Sequence, residues 1–382
     1  MLSCGEASGD LYAGALTREL LALDPTIALS GLAGPRFAAA GGRLIDDYRG
    51  VNASGLIEPF AKLPRLVAAK RRMIEVARAD PPDALILIDF SGFNLRLAPA
   101  IKRLGVPVIY YISPQIWAWR PKRLATIARL VDRVLVIFPF EEAIYRDAGV
   151  PVEFVGHPLI DLAAPTATRG ALLDSLGLSP SAPTIAILPG SRKSEVARIL
   201  PDLVDAAARI RAAVPAAQFV VARAPHLDDA LFDAVRVPRP GTMAVAVDQT
   251  DAVLAAADVA LTASGTATVQ CALHDTPMVI VYRVSPLSYR LLRRLVKVEA
   301  IGMVNLIAGE RIVPELVQEA FTPEAVAAEA ASMLTDAARA ARIRAGLARV
   351  RSRLGGPGAS RRAAEAILRV VREPRALARG RA

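Results

Sequence analysis

Short, continuous runs of apolar residues, many of them β-branched, recur along this chain and constrain its fold more than any other feature. Runs without polar alternation are typical of parallel strands that are covered by helices on both faces. Helical patterns separate these runs, as where Tyr12, Leu16 and Leu20 recur four residues apart. The sequence therefore predicts an α/β fold of doubly wound parallel sheets. The predicted strands are Ala84–Asp89, Val106–Ile112, Arg133–Phe138, Thr184–Leu188, Gln218–Ala222, Val259–Ala263 and Met278–Tyr282.

The length of the chain favours two domains, because 382 residues with 53% apolar composition can bury a large core. A stretch rich in Pro, Ala and Thr, residues 156–169, follows one series of βα units and precedes a second. We therefore expect Rossmann-like domains at 1–160 and 161–344, with a C-terminal helix over 345–382 that packs back on the first. Such folds bind ligands at the carboxyl ends of their strands, so the site is expected in a cleft between the domains.

The formal charge of +10 limits the classes of partner without selecting one. Half of the excess lies in residues 361–382, where seven arginines are offset by two glutamates. A basic surface suits nucleic acid, an anionic membrane or a phosphorylated substrate. Cys4 and Cys271 have neither paired spacing nor metal-ligand neighbours, which favours a reducing compartment. No apolar run reaches about 18 residues and no signal-peptide pattern is present, so a soluble or peripheral cytoplasmic protein is expected.

Two glycine-containing loops follow predicted strands of the second domain. Gly190–Arg192 follows one strand and Ser264–Thr266 follows another. Backbone N–H groups at a helix start, joined by an arginine, can bind an anion, and two such loops can hold the two phosphates of a nucleotide diphosphate. Either loop alone could also be an ordinary strand-to-helix turn. Neither has a Walker or GxGxxG pattern, so ATP hydrolysis and dinucleotide redox chemistry lose support.

The first domain carries an acid at the same kind of position. Asp89 ends a predicted strand just before a glycine turn, where a carboxylate can act as a general base toward a hydroxyl. A helix-capping or turn aspartate is the more common role for a single residue of this kind. The later segment Tyr110–Arg123 holds both tryptophans beside three cations. These aromatic residues could stack a nucleobase, grip a sugar, meet a membrane interface or pack beneath the sheet.

A basic amphipathic segment, Phe60–Ile74, precedes the strand that ends at Asp89. Its apolar residues recur at near-helical spacing, and five lysines and arginines surround them. Such a helix can lie on anionic lipid, or it can turn its apolar side to the core and its basic side to water. The residues assigned to lipid contact are Phe60, Leu63, Leu66, Val67, Arg71 and Arg72.

A set of motifs, in order over nearly the whole chain, resembles the lipid-A-disaccharide synthase family. The motifs are GEASGD near the start, GLAGPRF at Gly31–Phe37, YYISPQIWAWRPKR from Tyr110, FPFEEAIY at Phe138–Tyr145, VGHPLID at Val155–Asp161, LPGSRKSEV, SGTAT, PMVIVYR, and NLIAGERIVPELVQE at Asn305–Glu319. The resemblance implies an inverting glycosyltransferase of the two-domain GT-B type that needs no metal or other cofactor. The donor would be UDP-2,3-diacylglucosamine and the acceptor 2,3-diacylglucosamine 1-phosphate (lipid X), giving a β-1,6-linked disaccharide 1-phosphate and UDP.

Both substrates carry acyl chains, so the resemblance also implies a peripheral protein on the cytoplasmic face of the inner membrane. The anionic membrane surface would be a partner and nucleic acid would not, while a homodimer is left open. In this interpretation the first domain serves the acceptor and the membrane, and the second binds the UDP-sugar.

The resemblance assigns a role to each candidate residue. Asp89 would take the proton of the acceptor 6-hydroxyl, while Arg192 and the two glycine-containing loops would stabilise the leaving UDP. Glu6 is assigned to catalysis beside them, and both Glu6 and Asp10 are candidates for meeting the acceptor sugar or orienting the cleft. The family commonly has a glutamate that holds the ribose where this chain has Gln270, a neutral acceptor that would bind it more weakly. The residues assigned to substrate binding are Ser8, Asn94, Ser191, Ser264, Gly265, Thr266, Gln270 and Asn305.

The N-terminal loop departs from the family, which usually has several more apolar residues before GEASGD. Met1–Cys4 is expected to be the stub of the first parallel strand, followed by a tight turn and a helix capped near Ser8. A start a few codons upstream is expected to complete that strand. Two alternatives stay open: another UDP-sugar enzyme of the same architecture, a transferase or a 2-epimerase, and a noncatalytic lipid- or nucleic-acid-binding relative.

Overall fold

The computed structural model describes residues 1–51, 63–114, 122–235, 242–284 and 300–373, and the chain forms two compact units. Of the described residues, those in Met1–Pro158 and from Leu354 to Glu373 form the first unit, and those between them form the second. The chain passes from one unit to the other at Pro158, within the Pro-rich stretch 156–169.

The first unit is built on a seven-stranded parallel sheet in the order β3-β2-β1-β4-β5-β6-β7. Its strands are β1 (Leu2–Ser3), β2 (Ser30–Ala33), β3 (Arg43–Asp47), β4 (Leu85–Ile88), β5 (Val108–Tyr111), β6 (Arg133–Val136) and β7 (Val152–Phe154). Its helices up to the unit boundary are α1 (Ala7–Leu23), α2 (Pro35–Ala39), α3 (Tyr48–Val51), α4 (Leu63–Ala79), α5 (Ser91–Lys102), α6 (Lys122–Leu130) and α7 (Pro139–Asp147).

The second unit is built on a six-stranded parallel sheet in the order β10-β9-β8-β11-β12-β13. Its strands are β8 (Thr184–Leu188), β9 (Gln218–Arg223), β10 (Met243–Val247), β11 (Val259–Ala263), β12 (Met278–Tyr282) and β13 (Glu315–Val317). Its helices are α8 (Leu159–Leu162), α9 (Arg169–Ser175), α10 (Lys193–Ala213), α11 (Thr250–Ala256), α12 (Thr266–Leu273), α13 (Met303–Ala308), α14 (Pro323–Thr335) and α15 (Ala337–Arg353), with 3₁₀ turns at Asp229–Val235 and Gln318–Ala320.

The prediction of doubly wound parallel sheets is confirmed, and all seven predicted strands are present with ends shifted by at most two residues. The sequence missed β2, β3, β7, β10 and β13. Four of these lie at sheet edges, where one side of the strand meets water and no continuous apolar run is needed. The short β1 pairs with both β2 and β4, so Met1–Cys4 contains the expected first strand, in the interior of its sheet.

The C-terminal region differs from the predicted single helix over 345–382. The structure has α15, which ends at Arg353 in the second unit, and a separate helix α16 (Ala359–Arg372) in the first. The intervening sequence LGGPG breaks the helix because glycine and proline are poor helix formers. α16 packs against α1, and Arg361 pairs with Glu19 across that contact at 3.7 Å.

Each sheet has one point at which its strand order reverses direction. In the first unit this point lies between β1 and β4, and in the second between β8 and β11. Open parallel sheets bind ligands outside the carboxyl ends of the strands at such a point, because the loops diverge there and leave a crevice. A binding site is therefore expected at the loops that follow β1, β4, β8 and β11.

Candidate active site

Asp89 lies at the carboxyl end of β4, directly at the reversal point of the first sheet. Its side chain is exposed, while its backbone is fixed by three hydrogen bonds. The Asp89 carbonyl oxygen accepts from the Tyr110 hydroxyl at 2.6 Å and from the Asn94 amide at 2.8 Å, and its N–H donates to the Ile112 carbonyl at 3.1 Å. The carboxylate is thus presented to solvent from a rigid base.

The backbone around this carboxylate is strained. Asp89 and Phe90 have φ values of +42° and +45°, and Ile112, at the end of the neighbouring β5, has +59°. For residues other than glycine this left-handed region costs about 1–2 kcal/mol each, and a β-branched residue is an outlier there. Strain of this kind persists where the surroundings over-determine the backbone, and it concentrates at functional sites.

Tyr110 contributes a hydrogen bond that does not depend on pH in the working range. Burial and the nearby Asp89 carboxylate raise the pKa of the Tyr110 hydroxyl well above its usual value. The hydroxyl therefore keeps its proton and continues to donate to the Asp89 carbonyl. No local pattern in the sequence indicates this contact, because Tyr110 follows Asp89 by 21 residues and is brought beside it only by β4–β5 pairing.

Asn94, predicted to bind substrate, is fully buried instead. Its amide nitrogen donates to the carbonyl oxygens of Ser3, Ile88 and Asp89, and its oxygen accepts from the Ser3 hydroxyl at 2.7 Å. All of these partners belong to the ends of β1 and β4. Asn94 therefore joins the two central strands and holds Asp89 in place, and we reassign it from substrate contact to positioning.

The GEASGD loop follows β1 and faces the same reversal point. Glu6 is half-buried in the capping position of α1, two residues before Ser8, and Ser8 lies inside the first turn of the helix. Asp10 is buried and its carboxylate accepts from the backbone N–H groups of Gly34, Arg36 and Phe37 at 2.8–3.1 Å. Asp10 therefore anchors the start of α2 and is not placed to meet a sugar.

The β8 loop of the second unit contains an acid that the sequence analysis missed. Arg192 occupies the capping position of α10, and its guanidinium donates to Glu195 at 2.9 Å. The other Glu195 carboxylate oxygen accepts from the backbone N–H groups of Ser191 and Arg192 at 3.2 and 3.3 Å. The backbone groups predicted to bind phosphate therefore already hold an internal anion. The spacing of a capping residue and a glutamate three positions later was the available signal.

The β11 loop forms the other side of the same reversal point. Gly265 precedes α12 with φ +154° and ψ −158°, a conformation that is essentially restricted to glycine, so the loop cannot be rebuilt with another residue there. Thr266 begins the helix and is half-buried, and the Ser264 hydroxyl donates to the Ile301 carbonyl at 2.9 Å. The N–H groups of Thr266 and Ala267 come too early in α12 for a carbonyl partner within the helix, so they can bind an anion, whereas the Thr268 N–H donates to the Gly265 carbonyl at 3.1 Å.

Gln270 lies one turn further along α12 and has a partner on another helix. Its amide nitrogen donates to Asp251 at 3.0 Å, and the His274 ring nitrogen Nε2 lies 2.9 Å from the same carboxylate oxygen. The His226 ring nitrogen Nε2 lies 2.9 Å from the Ser191 carbonyl oxygen. Both histidines therefore have polar partners that lie far from them in sequence.

Asn305, also predicted to bind substrate, is almost fully buried. Its amide nitrogen donates to the Val313 carbonyl and to Glu315, and its oxygen accepts from the backbone N–H groups of Ile312 and Val313. Glu315 in turn accepts from the N–H groups at the start of α13. Asn305 is therefore occupied in holding α13 to β13, and we reassign it as a structural residue.

The predicted lipid-contact segment divides between core and surface. Leu66 packs against the hydrophobic core, whereas Leu63 and Val67 on α4 are 44% and 42% exposed. Arg71 is exposed, and Arg72 pairs with Asp46 of β3. Phe60 and both tryptophans, Trp117 and Trp119, lie outside the described residues. Over the part of the chain that the structure describes, no helix has the length and apolar character needed to cross a membrane.

A metal ion would need a cluster of side chains that can supply ligands. Within residues 1–51, 63–114, 122–235, 242–284 and 300–373, no group of three or more His, Cys, Asp or Glu residues is arranged to hold a metal ion. Cys4 and Cys271 are both buried with free thiols. Burial raises the pKa of each thiol well above its usual value, so both are unreactive at neutral pH.

Comparison with known proteins gives the family. The profile described as lipid-A-disaccharide synthetase matches residues 1–370. The chain belongs to that family. The lipid-A-disaccharide synthase of Geobacter metallireducens is 44% identical over 375 residues, which cover 98% of each chain.

The solved structures agree with the fold of the lipid-A-disaccharide synthetase family. The calicheamicin glycosyltransferase CalG4 has a TM-score of 0.61 at 16% identity over 96% of each chain. The HepE protein of Anabaena in complex with UDP-glucose has a TM-score of 0.60 at 14% identity, over 96% of this chain and 98% of that one. The GT-B class and the glycosyltransferase activity implied by the resemblance are confirmed, and the alternatives of a 2-epimerase and a noncatalytic relative are set aside.

Proposed function

We propose that the chain transfers 2,3-diacylglucosamine from UDP-2,3-diacylglucosamine to the 6-hydroxyl of 2,3-diacylglucosamine 1-phosphate, with inversion at the anomeric carbon. Membership of the lipid-A-disaccharide synthetase family supports this reaction. The observation that carries the assignment of roles is that candidate residues from distant parts of the sequence lie at the reversal point of each sheet. The first unit is assigned the acceptor and the second the nucleotide.

Asp89 is assigned as the general base. The acceptor oxygen attacks the anomeric carbon, the bond from that carbon to the β-phosphate oxygen breaks, and UDP leaves with the bonding electrons. The proton of the acceptor hydroxyl passes to the Asp89 carboxylate. The exposed carboxylate, its rigid backbone and its position after β4 support this role. Glu6 follows β1 at the same reversal point and is assigned to hold the acceptor sugar.

The diphosphate of UDP is assigned to the second unit. The Arg192 guanidinium and the first N–H groups of α12 are the donors, and they would stabilise the charge that grows on the leaving phosphate. The backbone N–H groups of Ser191 and Arg192 are not included, because they donate to Glu195. The exposed hydroxyl of Ser191 is therefore the group of this residue that could bind a phosphate.

The test is an assay of UDP and disaccharide formation in detergent micelles, with UDP binding measured separately by calorimetry. Asp89→Asn keeps the shape of an exposed side chain, so we expect folding and UDP affinity to persist while kcat falls about 10²–10⁴-fold. Arg192→Ala is expected to lower kcat about 10²–10³-fold and to weaken UDP binding. Asp205→Asn, an exposed change on α10, is the control and should alter neither. Retention of more than a tenth of the kcat in Asp89→Asn would exclude Asp89 as the base.

Membrane contact is assigned to the exposed side of α4. Leu63, Val67 and Arg71 lie on it within one helical face, and apolar residues beside a cation are suited to an anionic lipid surface. The unaltered chain should sediment with vesicles that contain phosphatidylglycerol, whereas the Leu63→Glu/Val67→Glu variant should stay in the supernatant. Val247→Glu, at a position that is also 42% exposed but lies in the second unit, should sediment normally. Equal sedimentation of all three proteins would place the lipid contact elsewhere.

A further inference from the structure

Gln270, Asp251 and His274 form a polar cluster that the transfer reaction described above does not use. Asp251 lies in the first turn of α11, and one of its carboxylate oxygens accepts from the Gln270 amide at 3.0 Å. The His274 Nε2 atom lies 2.9 Å from that same oxygen. A carboxylate has no proton to donate, so His274 carries its proton on Nε2 and donates it. One Asp251 oxygen thus accepts from Gln270 of α12 and from His274, the residue that follows the helix.

The cluster continues a row that begins at the anion-binding end of α12. Thr266 and Gln270 are four residues apart and therefore lie on one face of the helix, and His274 follows its last residue. Gln270 is one turn, or about 5.4 Å, beyond the N-terminal N–H groups that we assign to the diphosphate. The group joined to the α-phosphate of a nucleotide is its ribose, whose two hydroxyls donate hydrogen bonds. An acceptor on this face, one turn away, suits a ribose.

The contact with Asp251 decides which end of the amide can serve as that acceptor. A glutamine side chain has a donating nitrogen and an accepting oxygen, and its partners determine which way each points. Because the nitrogen donates to Asp251, the oxygen Oε1 is turned away from it. Gln270 remains half-buried, so its amide group is not enclosed by the core.

We propose that Asp251 is a positioning residue of the nucleotide site, which fixes the Gln270 amide so that Oε1 accepts from a ribose hydroxyl of UDP. The proposal rests on the assignment of UDP to the second unit. It adds to that assignment a residue from α11, and it gives the site the negative charge that Gln270 does not carry. The carboxylate of Asp251 acts on the ribose through the amide.

A consequence is that residues 251 and 270 can hold one carboxylate between them but not two. A glutamate at position 270 would place its oxygens about 3 Å from the Asp251 oxygen, where two like charges repel. Exchanging the groups avoids the conflict. In Asp251→Asn/Gln270→Glu the asparagine can donate to the new carboxylate while its oxygen still accepts from His274.

The experiment measures the dissociation constants of UDP and 2′-deoxy-UDP for the full chain and its variants by calorimetry. The unaltered chain is expected to bind 2′-deoxy-UDP about tenfold more weakly than UDP, which corresponds to one well-placed hydrogen bond. Asp251→Ala is expected to reduce this ratio to about two, because the amide is no longer oriented. Gln270→Met removes the amide at similar length and should give the same ratio if Asp251→Ala does not fold. Asp205→Asn is the control and should keep the full ratio.

The exchange of charges provides the decisive comparison. Gln270→Glu alone should weaken UDP binding about tenfold through repulsion by Asp251, and the double variant Asp251→Asn/Gln270→Glu should restore the affinity of the unaltered chain. The proposal is overturned if Gln270→Glu binds UDP as tightly as the unaltered chain, if the double variant is no better than Gln270→Glu, or if the ratio for 2′-deoxy-UDP survives Asp251→Ala. Failure of the unaltered chain to bind UDP at all would instead reject the assignment of UDP to the second unit.

Discussion

Gly5 supports the Asp89 loop by having no side chain, and its replacement by alanine is the sharpest test of how that loop is held. A Cβ atom on Gly5 would lie 2.2–2.4 Å from three carbon atoms of the Phe90 ring. Carbon atoms in contact keep about 3.5–4.0 Å, so the ring would have to move by at least ~1.3 Å. Phe90 is the residue after Asp89 and stacks on Phe93 with ring centroids 5.3 Å apart, which leaves the ring little freedom.

We expect Gly5→Ala to affect both stability and turnover. Overpacking of this kind costs about 1–3 kcal/mol, and each kcal/mol lowers the melting temperature by about 2–4 °C for a unit of this size. A displacement of about 1 Å at a catalytic group can lower kcat/KM about 100-fold. UDP affinity should not change, because every residue assigned to UDP belongs to the second unit. The measurements are differential scanning calorimetry, the disaccharide assay and UDP titration.

Gly92→Ala is the matched control, since Gly92 lies in the same loop region at the start of α5 and an added Cβ there meets no atom within 4 Å. It should keep full activity and gain up to about 1 kcal/mol from helix propensity. In the double variant Gly5→Ala/Phe90→Leu, the smaller leucine side chain should recover part of the lost stability and activity. Unchanged melting temperature and kcat/KM in Gly5→Ala would refute the packing argument, and equal damage from Gly92→Ala would show that the loop rejects any side chain.

Three further changes test other contacts. Asn94→Ala should cost about 2–4 kcal/mol and lower kcat, because it removes the amide that donates to the Ser3 and Ile88 carbonyl oxygens and accepts from the buried Ser3 hydroxyl, and a normal melting curve would contradict this. Asp10→Asn removes one of the two oxygens that accept from the start of α2, so a loss of about 1–3 kcal/mol is expected by calorimetry, against none for the exposed Asp205→Asn. Burial lowers the pKa of His157 from 6.5 to about 3, so below pH 6.5 the unfolded chain binds a proton that the folded chain does not. The free energy of unfolding should therefore decrease as the pH is lowered from 6.5 to 3, by up to ~1.4 kcal/mol per pH unit. In denaturant curves measured at pH 7 and pH 5, His157→Phe should abolish this part of the difference in stability.

The central part of each sheet could be predicted from the sequence because a strand covered on both faces must be apolar throughout. Thr184–Leu188 and Val259–Ala263 were predicted with the bounds that the structure has. The edge strands were missed because they lack a continuous apolar run: β3 (Arg43–Asp47), for example, has an exposed side and contains three charged residues. The C-terminal break was missed as well, although the sequence LGGPG carries the signal for it.

For the site, the sequence by itself determined which loops carry chemistry, because glycine, serine and charged residues after an apolar run can be recognised locally. Asp89, Arg192 and the Ser264–Thr266 loop were found in this way, and the structure places all of them at points where the strand order reverses. Only the tertiary structure decided which polar side chains face solvent and which are buried and hydrogen-bonded within the protein. Asn94 and Asn305 look like ligand-binding residues in sequence, but strand pairing surrounds them with backbone groups that must be hydrogen-bonded when buried. The contact of Gln270 with Asp251 joins residues 19 positions apart on different helices, and no local pattern can anticipate it.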